Sequence, residues 1–327
     1  MKKQNSVKIS KRRYRWIVLL LAVLVVVLAV TLRRAATTDR GTTLRSRTEV
    51  RSDNNSGTKN SAGKKRKSSE APVHSREDKG KKLCEEATIA SVDRKGLELP
   101  AIDNEEFVIR NQEGRYTLFY DTMYRQAVWV AYRLTRSELE AGKAKRSNSF
   151  RSDPQVLSHG WPSASDSDYK GSGYDRGHLL PSADRCGSSQ ENRATFLLSN
   201  ISPQCPELNR GVWRLLEEQV RRWVQRCDTL YVVTGSDLTG SLPRIEGGIG
   251  VPPKFFKAIL FCSDSECQAI AFLIPNEKRL SKDFFTYALS IDSLETRVRM
   301  DLFPNLPDDV ELRVEAQTDR SFWRSMR

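Results

Sequence analysis

The sequence predicts an α+β fold for residues 105–327. Short runs rich in β-branched and aromatic residues, such as AVWVAYRL at 127–134, have the composition of strands. One long segment, 208–226, instead carries apolar residues at a helical period. Strands and helices follow one another without the regular alternation that builds a parallel sheet, and this mixture is typical of α+β domains.

The first elements along the chain are a basic flank and an apolar run. Residues 1–15 contain seven Lys and Arg, and residues 16–32 are 17 uncharged residues without Gly or Pro. At 1.5 Å per residue, this run is close to the minimum that spans a hydrocarbon core of ~30 Å. We therefore expect a transmembrane signal anchor at 16–32, with residues 1–15 on the cytoplasmic side. The alternatives are a signal peptide that is cleaved to release a secreted protein, and a buried soluble helix.

A disordered basic tether is predicted at 33–82, because this stretch has almost no large apolar side chains with which to offset the entropy of ordering. Residues 83–104 then lead into the domain at 105–327, which the anchor would place in the periplasm or outside the cell. Residues 1–100 hold 24 Lys and Arg against 10 Asp and Glu, whereas 101–327 hold 30 against 31. A domain that binds nucleic acid through a wholly cationic surface is therefore excluded.

Within the domain, most apolar runs predict strands and one predicts a long helix. Strands are expected at 106–110, 116–120, 127–134, 229–234, 255–262 and 268–274, with a short one in YDRGHLL at 174–180. A further apolar run, ATFLLSNI, occupies 194–201, and a long polar loop is expected at 141–174. The predicted helix at 208–226 follows this apolar run closely along the chain.

The cysteines indicate an oxidising compartment rather than a zinc site. There are six, at Cys84, Cys186, Cys205, Cys227, Cys262 and Cys267. None forms a CxxC pair, and an even number in an exported domain favours disulfides over buried reduced thiols. Cys262 and Cys267 flank a short polar loop between two apolar runs, so a hairpin would bring them face to face. A bond between Cys186 and Cys205 is a weaker hypothesis.

Candidate catalytic residues cluster in two motifs. Arg176 and His178 end a polar, glycine-rich loop, and a guanidinium group beside an imidazole can bind an anion and keep the imidazole neutral. Asn200 ends an apolar run, and Asn209 lies at the start of the predicted helix. Glu217 follows eight residues later, about 12 Å along the helix axis. An amide oxygen and a carboxylate acting through water would suit Mg²⁺, which binds few protein oxygens and keeps several waters.

The two motifs, YDRGHLLPSADR and LLSNISPQCPELNRGVWRLLEEQV, resemble the DNA/RNA non-specific endonuclease family, which includes the Serratia-type nuclease and mitochondrial endonuclease G. The resemblance extends over about 105–318, with weaker matches in VPPKFFK near 251 and DLFPNLP near 302. It implies a ββα-metal fold, with a mixed or antiparallel central sheet and flanking helices.

The resemblance also implies roles for individual residues. His178 matches the general base that activates water, and Asn209 matches the direct protein ligand of Mg²⁺, for which Mn²⁺ can substitute. Glu217 matches the residue that holds metal-bound water, Arg176 an arginine that contacts phosphate, and Asn200 an asparagine that helps position the site. A second phosphate-binding arginine aligns loosely, with Arg146 as our choice and Arg151 as the alternative.

The sequence therefore predicts a membrane-attached, Mg²⁺-dependent endonuclease. Its substrate would be DNA and/or RNA, cleaved with little sequence preference to leave 5′-phosphate ends. A non-catalytic nucleic-acid-binding or envelope protein with the same fold is the alternative, and a hydrolase of another phosphodiester is a third hypothesis. The sequence leaves a homodimer open and identifies no inhibitor protein.

Overall fold

An antiparallel sheet of seven strands forms the centre of the molecule. The computed structural model describes Ile89, residues 92–142 and residues 144–326. The strands of the described residues are β1 (Val108–Asn111), β2 (Tyr116–Asp121), β3 (Gln126–Thr135), β4 (Asp175–His178), β5 (Ile201–Gln204), β6 (Thr229–Ser236), β7 (Lys254–Cys262), β8 (Cys267–Pro275) and β9 (Ala288–Leu289). The sheet order is β1-β2-β3-β6-β7-β8-β9, and every pair of neighbouring strands in it is antiparallel.

Helices cover both faces of this sheet. They are α1 (Arg136–Glu140), α2 (Pro154–Ser158), α3 (Ser189–Ala194), α4 (Arg214–Cys227), α5 (Ile291–Val298), α6 (Asp308–Ala316) and α7 (Arg320–Ser325). One core contains Val220 and Trp223 of α4, and a separate core contains Leu294 of α5 and Val310 of α6. Since side chains alternate between the faces of a strand, the sheet lies between these two cores.

Strands β4 and β5 form a separate two-stranded antiparallel sheet that precedes α4. Gly177 of β4 lies opposite Ser202 of β5. A Cβ atom at Gly177 would come within 2.2 Å of the Gln204 side chain, so this close approach requires glycine. The two strands and the following helix make up the ββα unit implied by the family resemblance.

The helix after β5 differs from its prediction at the start. Residues Leu208–Trp213 form a wider π-helical turn, and α4 proper begins at Arg214. Gly211 lies outside helical geometry within that turn, with φ −103° and ψ −116°. A kink of this kind changes the direction in which the first turn presents its side chains, and π-helical turns are frequent at functional sites.

Most strand predictions are confirmed within one or two residues. The apolar run at 194–201 is an exception, because it folds as a helix end and a 3-10 turn, Leu198–Asn200, before β5 begins at Ile201. The long loop at 141–174 is interrupted by α2 and by a 3-10 turn, Asp166–Tyr169. The short elements α2 and α6 carry too little periodicity for sequence analysis to identify them.

The Cys262–Cys267 disulfide is confirmed, since the two residues face each other where β7 turns into β8. The proposed bond between Cys186 and Cys205 is wrong, because both thiols are free. Cys205 donates a hydrogen bond to Glu207 Oε2 at 3.0 Å. Cys186 instead packs against Gly142, where its sulfur occupies the space of a missing side chain. The two cysteines therefore belong to different contacts.

The predicted anchor at 16–32 and tether at 33–82, together with Cys84, lie outside the described residues. Among the helices that are described, none combines the length and apolar character needed to span a bilayer.

Candidate active site

A cavity of about 310 Å³ opens beside the ββα unit and gathers three of the predicted site residues. Arg176 reaches it from β4, Asn209 from the π-helical turn and Arg146 from the long loop before α2. Phe150 and Asp175 also line it. The antiparallel pairing of β4 and β5 brings Arg176 near Asn209. The loop that carries Arg146 is held beside them by the hydrogen bond from the Ser147 amide to Asn192 Oδ1.

The side chain of Asn209 is held in one orientation. Its Nδ2 atom donates a hydrogen bond to Asp175 Oδ2 at 2.9 Å. Arg210 donates from Nε and Nη2 to the two oxygens of Asp175, at 2.8 and 2.6 Å. Although partial burial acts in the opposite direction, these hydrogen bonds hold the pKa of Asp175 below its ordinary value. Because its amide nitrogen is engaged in this way, Asn209 keeps Oδ1 as the atom that can bind a hard cation.

His178 lies at the end of β4, packed among aromatic rings behind the residues that line the cavity, and does not line the cavity itself. Its ring centroid is 4.8 Å from that of Phe196 and 5.6 Å from that of Phe150. Only 8% of the residue is exposed, and Nε2 has no hydrogen-bond partner among the described residues. Burial, with the charges of Arg146 and Arg176, lowers the pKa of His178 to about 3. The imidazole is therefore neutral near pH 7.

Two guanidinium groups stack on the same aromatic rings that enclose His178. Arg176 lies over Phe150, 4.3 Å from the ring centroid, and forms an ion pair with Asp166. Arg146 lies over Phe196 at 5.0 Å and donates to Ser182 Oγ at 2.5 Å. These contacts place two cations near the imidazole, on the side that faces the cavity.

Of the two candidates for the second arginine, the structure brings only Arg146 to the cavity. The Arg151 side chain donates instead to the backbone oxygen of Arg193, and the backbone of Arg151 forms an isolated β-bridge with Leu197. The alternative assignment to Arg151 therefore has no geometric support among the residues lining this cavity.

Glu217 lies on α4 within a cluster of buried and half-buried charges. Burial raises the pKa of Glu217, and the nearby charges of Lys257 and Arg146 oppose this effect. Lys257, on β7, is fully buried, and its Nζ atom has no hydrogen-bond partner within the described part of the chain. Burial lowers the pKa of Lys257, and Glu217 opposes that effect in turn. Glu217 does not line the cavity itself, but it interacts with Arg146, which does.

Sequence reasoning missed Lys257 and Asp175. Lys257 belongs to the VPPKFFK segment, where a lysine between Phe256 and an apolar run was the available signal. Asp175 directly precedes Arg176 in the first motif.

Asn200 is a positioning residue in this geometry, since it is completely buried and does not line the cavity. Its Oδ1 atom accepts from the Leu180 amide at 2.9 Å, and Nδ2 donates to the carbonyl oxygens of Leu180 and Thr195. These hydrogen bonds hold Leu180, two residues after His178, next to Asn200, which immediately precedes β5. The amide therefore acts on the backbone that carries the imidazole.

Because the pKa of His178 is lowered by folding, the stability of the protein should depend on pH. The imidazole of His178 binds a proton more readily in the unfolded protein, where its pKa is about 6.5, than in the folded one. The free energy of unfolding is therefore highest above pH 6.5 and decreases as the pH falls toward 3. We expect wild-type unfolding free energy to fall, between pH 6.5 and 5, by up to about 1.4 kcal/mol per pH unit more than that of His178→Phe. Urea unfolding curves measure this difference, and parallel pH dependences would contradict it.

Comparisons with known proteins place this chain, with its ββα unit, among the hydrolytic endonucleases. The model of the family described as DNA/RNA non-specific endonuclease matches residues 102–309. The match covers more than half of the chain, and the chain belongs to this family.

Named relatives share this region of the chain. A nuclease of Nostoc sp. is 36% identical over 222 residues, which cover 65% of this chain and 78% of that protein. Mitochondrial endonuclease G of Homo sapiens is 34% identical over 49% of this chain and 58% of its own length. A Serratia marcescens nuclease is 30% identical over 62% and 77%. A chain in the crystal structure of the EndoG/EndoGI complex superposes with a TM-score of 0.56 at 25% identity, over 66% of this chain and 94% of that one.

Proposed function

We propose that the protein hydrolyses phosphodiester bonds of DNA and/or RNA with Mg²⁺, that His178 is the general base, and that Asn209 is the metal ligand. The observation that carries this proposal is the convergence on one cavity of an oriented amide and two arginines beside a neutral imidazole. Relatives named nuclease and endonuclease G support the same substrate class.

The chain's own residues supply the proton transfer and the phosphate contacts. His178 takes a proton from a water molecule, which attacks phosphorus. Arg176 and Arg146 bind non-bridging phosphate oxygens and stabilise the charge that develops on them. The bond between phosphorus and the 3′ oxygen breaks, and the 3′ oxygen takes a proton from solvent water, so the products carry 5′-phosphate and 3′-hydroxyl ends.

The donor set fits a hard divalent cation, because amide and carboxylate oxygens are the ligands that Mg²⁺ prefers. Asn209 would hold the ion directly and Glu217 would act through its water shell. When bound, the ion would supply Lewis-acid stabilisation of the phosphate and of the leaving oxygen. Lys257 favours the charged form of the Glu217 carboxyl, which the cation also requires.

The contacts that the cavity offers would be made to the phosphate backbone, so we expect cleavage with little sequence preference. Arginines on phosphate oxygens position the backbone and carry no base information. Residues 101–327 are nearly neutral overall, so binding would depend on the local pair Arg146 and Arg176 rather than on a broad basic surface.

We propose that this domain acts in the periplasm or outside the cell, attached to the membrane through residues 16–32. The Cys262–Cys267 disulfide supports an oxidising compartment, because disulfides persist there and are rare in the cytosol. Fractionation of cells that express the full chain tests this, since alkaline carbonate would leave an anchored protein in the membrane and release a secreted one.

The decisive test of the activity is nicking of supercoiled plasmid by the full chain in detergent, with Mg²⁺ and with EDTA. We expect cleavage with Mg²⁺, its loss in EDTA, and its return when Mg²⁺ or Mn²⁺ is restored. DNA binding in Mg²⁺ without cleavage would instead favour the non-catalytic alternative, and a single-stranded RNA substrate assayed in parallel decides between DNA and RNA.

Substitution of Asp175 should weaken metal binding indirectly, because its carboxylate orients Asn209. Asp175→Asn would weaken the acceptor that orients Asn209, and partners of metal ligands usually contribute 10–100-fold to affinity or activity. We expect the Mg²⁺ concentration for half-maximal rate to rise by about tenfold or more. Asp237 is half-buried, and its carboxylate accepts hydrogen bonds from nearby Thr239, so Asp237→Asn provides the control. An unchanged Mg²⁺ dependence in Asp175→Asn would count against the orienting role.

A further inference from the structure

Three carboxylates meet between the C-terminal helices, on the sheet face opposite α4. Asp292 and Glu295 lie three residues apart on α5, and Glu315 lies on α6. One oxygen of each side chain can be chosen so that all three lie within 4.8 Å of one another. Glu295 and Glu315 are only 6% and 5% exposed, whereas Asp292 is exposed to solvent.

Glu315 is buried in this cluster with one carboxylate oxygen unsatisfied. Its Oε1 atom is buried and has no hydrogen-bond donor within the described residues. Four other carboxylates lie near it, those of Glu295, Glu311, Asp292 and Asp301. A buried carboxylate among like charges, with an oxygen that no donor meets, is an incomplete site that a cation would complete.

The geometry favours a cation. Ca²⁺ binds six to eight oxygens at about 2.3–2.6 Å, so two of its ligands can be up to about 5 Å apart. The carboxylate oxygens fall within that limit. Glu295 is fixed in place, since its Oε1 atom accepts from the Leu302 amide at 2.6 Å. Exposed Asp292 provides the side from which an ion and its remaining water ligands can enter.

We propose that Asp292, Glu295 and Glu315 form a second site for a divalent cation of the Ca²⁺ class, which fastens α5 to α6. The site is separate from the candidate active site, because α5 and α6 pack into the other hydrophobic core. Its role is structural, and it does not depend on the function proposed above.

The test measures Ca²⁺-dependent thermal unfolding of the full chain in detergent after treatment with EDTA. Every variant carries Asn209→Ala, which removes the proposed ligand at the active site. We expect Ca²⁺ at about a hundred times its Kd to raise the Tm by about 5 °C or more. Adding Glu315→Gln should abolish this rise, whereas Asp309→Asn, at an exposed carboxylate of α6, should retain it.

Titration calorimetry provides a second measurement if Glu315→Gln fails to fold. Asp292→Asn changes an exposed side chain, and it should weaken Ca²⁺ binding by at least tenfold relative to Asn209→Ala alone. The absence of a Ca²⁺ response in Asn209→Ala, or an equal response in all variants, would overturn the proposal. In the first case the carboxyl of Glu315 is protonated and shares a hydrogen bond within the cluster.

Discussion

His178→Ala is expected to lower kcat for plasmid cleavage by at least about 10²- to 10⁴-fold, the usual contribution of a general base. The imidazole packs against Phe150, which lines the cavity, and against Phe196, on which Arg146 stacks. Alanine removes the proton acceptor but leaves both arginines and Asn209 in place. The loss should therefore appear in kcat, with a much smaller change in KM.

The matched control is His159→Ala. This histidine is exposed, stacks on Trp161 at 4.3 Å and bonds through Nδ1 to the Gln155 carbonyl, so it has no contact with the cavity. Its variant should retain wild-type kcat. Cleavage by His178→Ala at the wild-type rate, with a Tm that shows a folded protein, would remove His178 from the reaction.

Asn209→Ala is expected to give the second large effect, a loss of about 10²-fold or more in kcat/KM at moderate Mg²⁺. Charge stabilisation by a bound metal contributes several kcal/mol to the barrier, and each 1.36 kcal/mol corresponds to a factor of ten. Because the variant lacks the amide oxygen that would bind the ion, higher Mg²⁺ should restore part of the rate. Initial rates measured across a Mg²⁺ titration test both statements.

Asn148→Gly is the control for this experiment. Asn148 lines the same cavity, but its Oδ1 atom accepts from Arg146 Nε at 2.8 Å. Its φ of 53° is one that glycine adopts without strain. The control should alter KM, through Arg146, and leave the Mg²⁺ dependence unchanged. If Asn209→Ala shows the same Mg²⁺ dependence as the wild type, the metal is held elsewhere.

Local motifs predicted most of the candidate site because they depend on short stretches of chain. The motif around Arg176 and His178 becomes β4, and the motif around Asn200 becomes the turn into β5. The segment that carries Asn209 and Glu217 becomes a helical turn and α4. Strand and helix patterns in a continuous segment are visible in sequence, since each is produced by neighbours two to four residues apart.

Contacts between distant segments were not predictable in the same way. Lys257 is 40 residues from Glu217 in the sequence, and only the packing of β7 beside α4 brings their charges together. The choice of Arg146 over Arg151 depends on which guanidinium group meets Phe196. The failed Cys186–Cys205 pairing has the same origin, because spacing along the chain says nothing about the side of the fold on which each thiol packs.

The sequence by itself determined the family, the ββα order of elements, the Cys262–Cys267 disulfide and the candidate site residues that lie in its two motifs. Each of these features depends on a short continuous segment, whose local conformation is determined by its own residues. The tertiary structure alone decided that His178 is buried between aromatic rings, that Asp175 orients Asn209, and that three carboxylates converge between α5 and α6. Burial and electrostatic fields arise from atoms brought together by folding, so they exist only once the distant segments have packed.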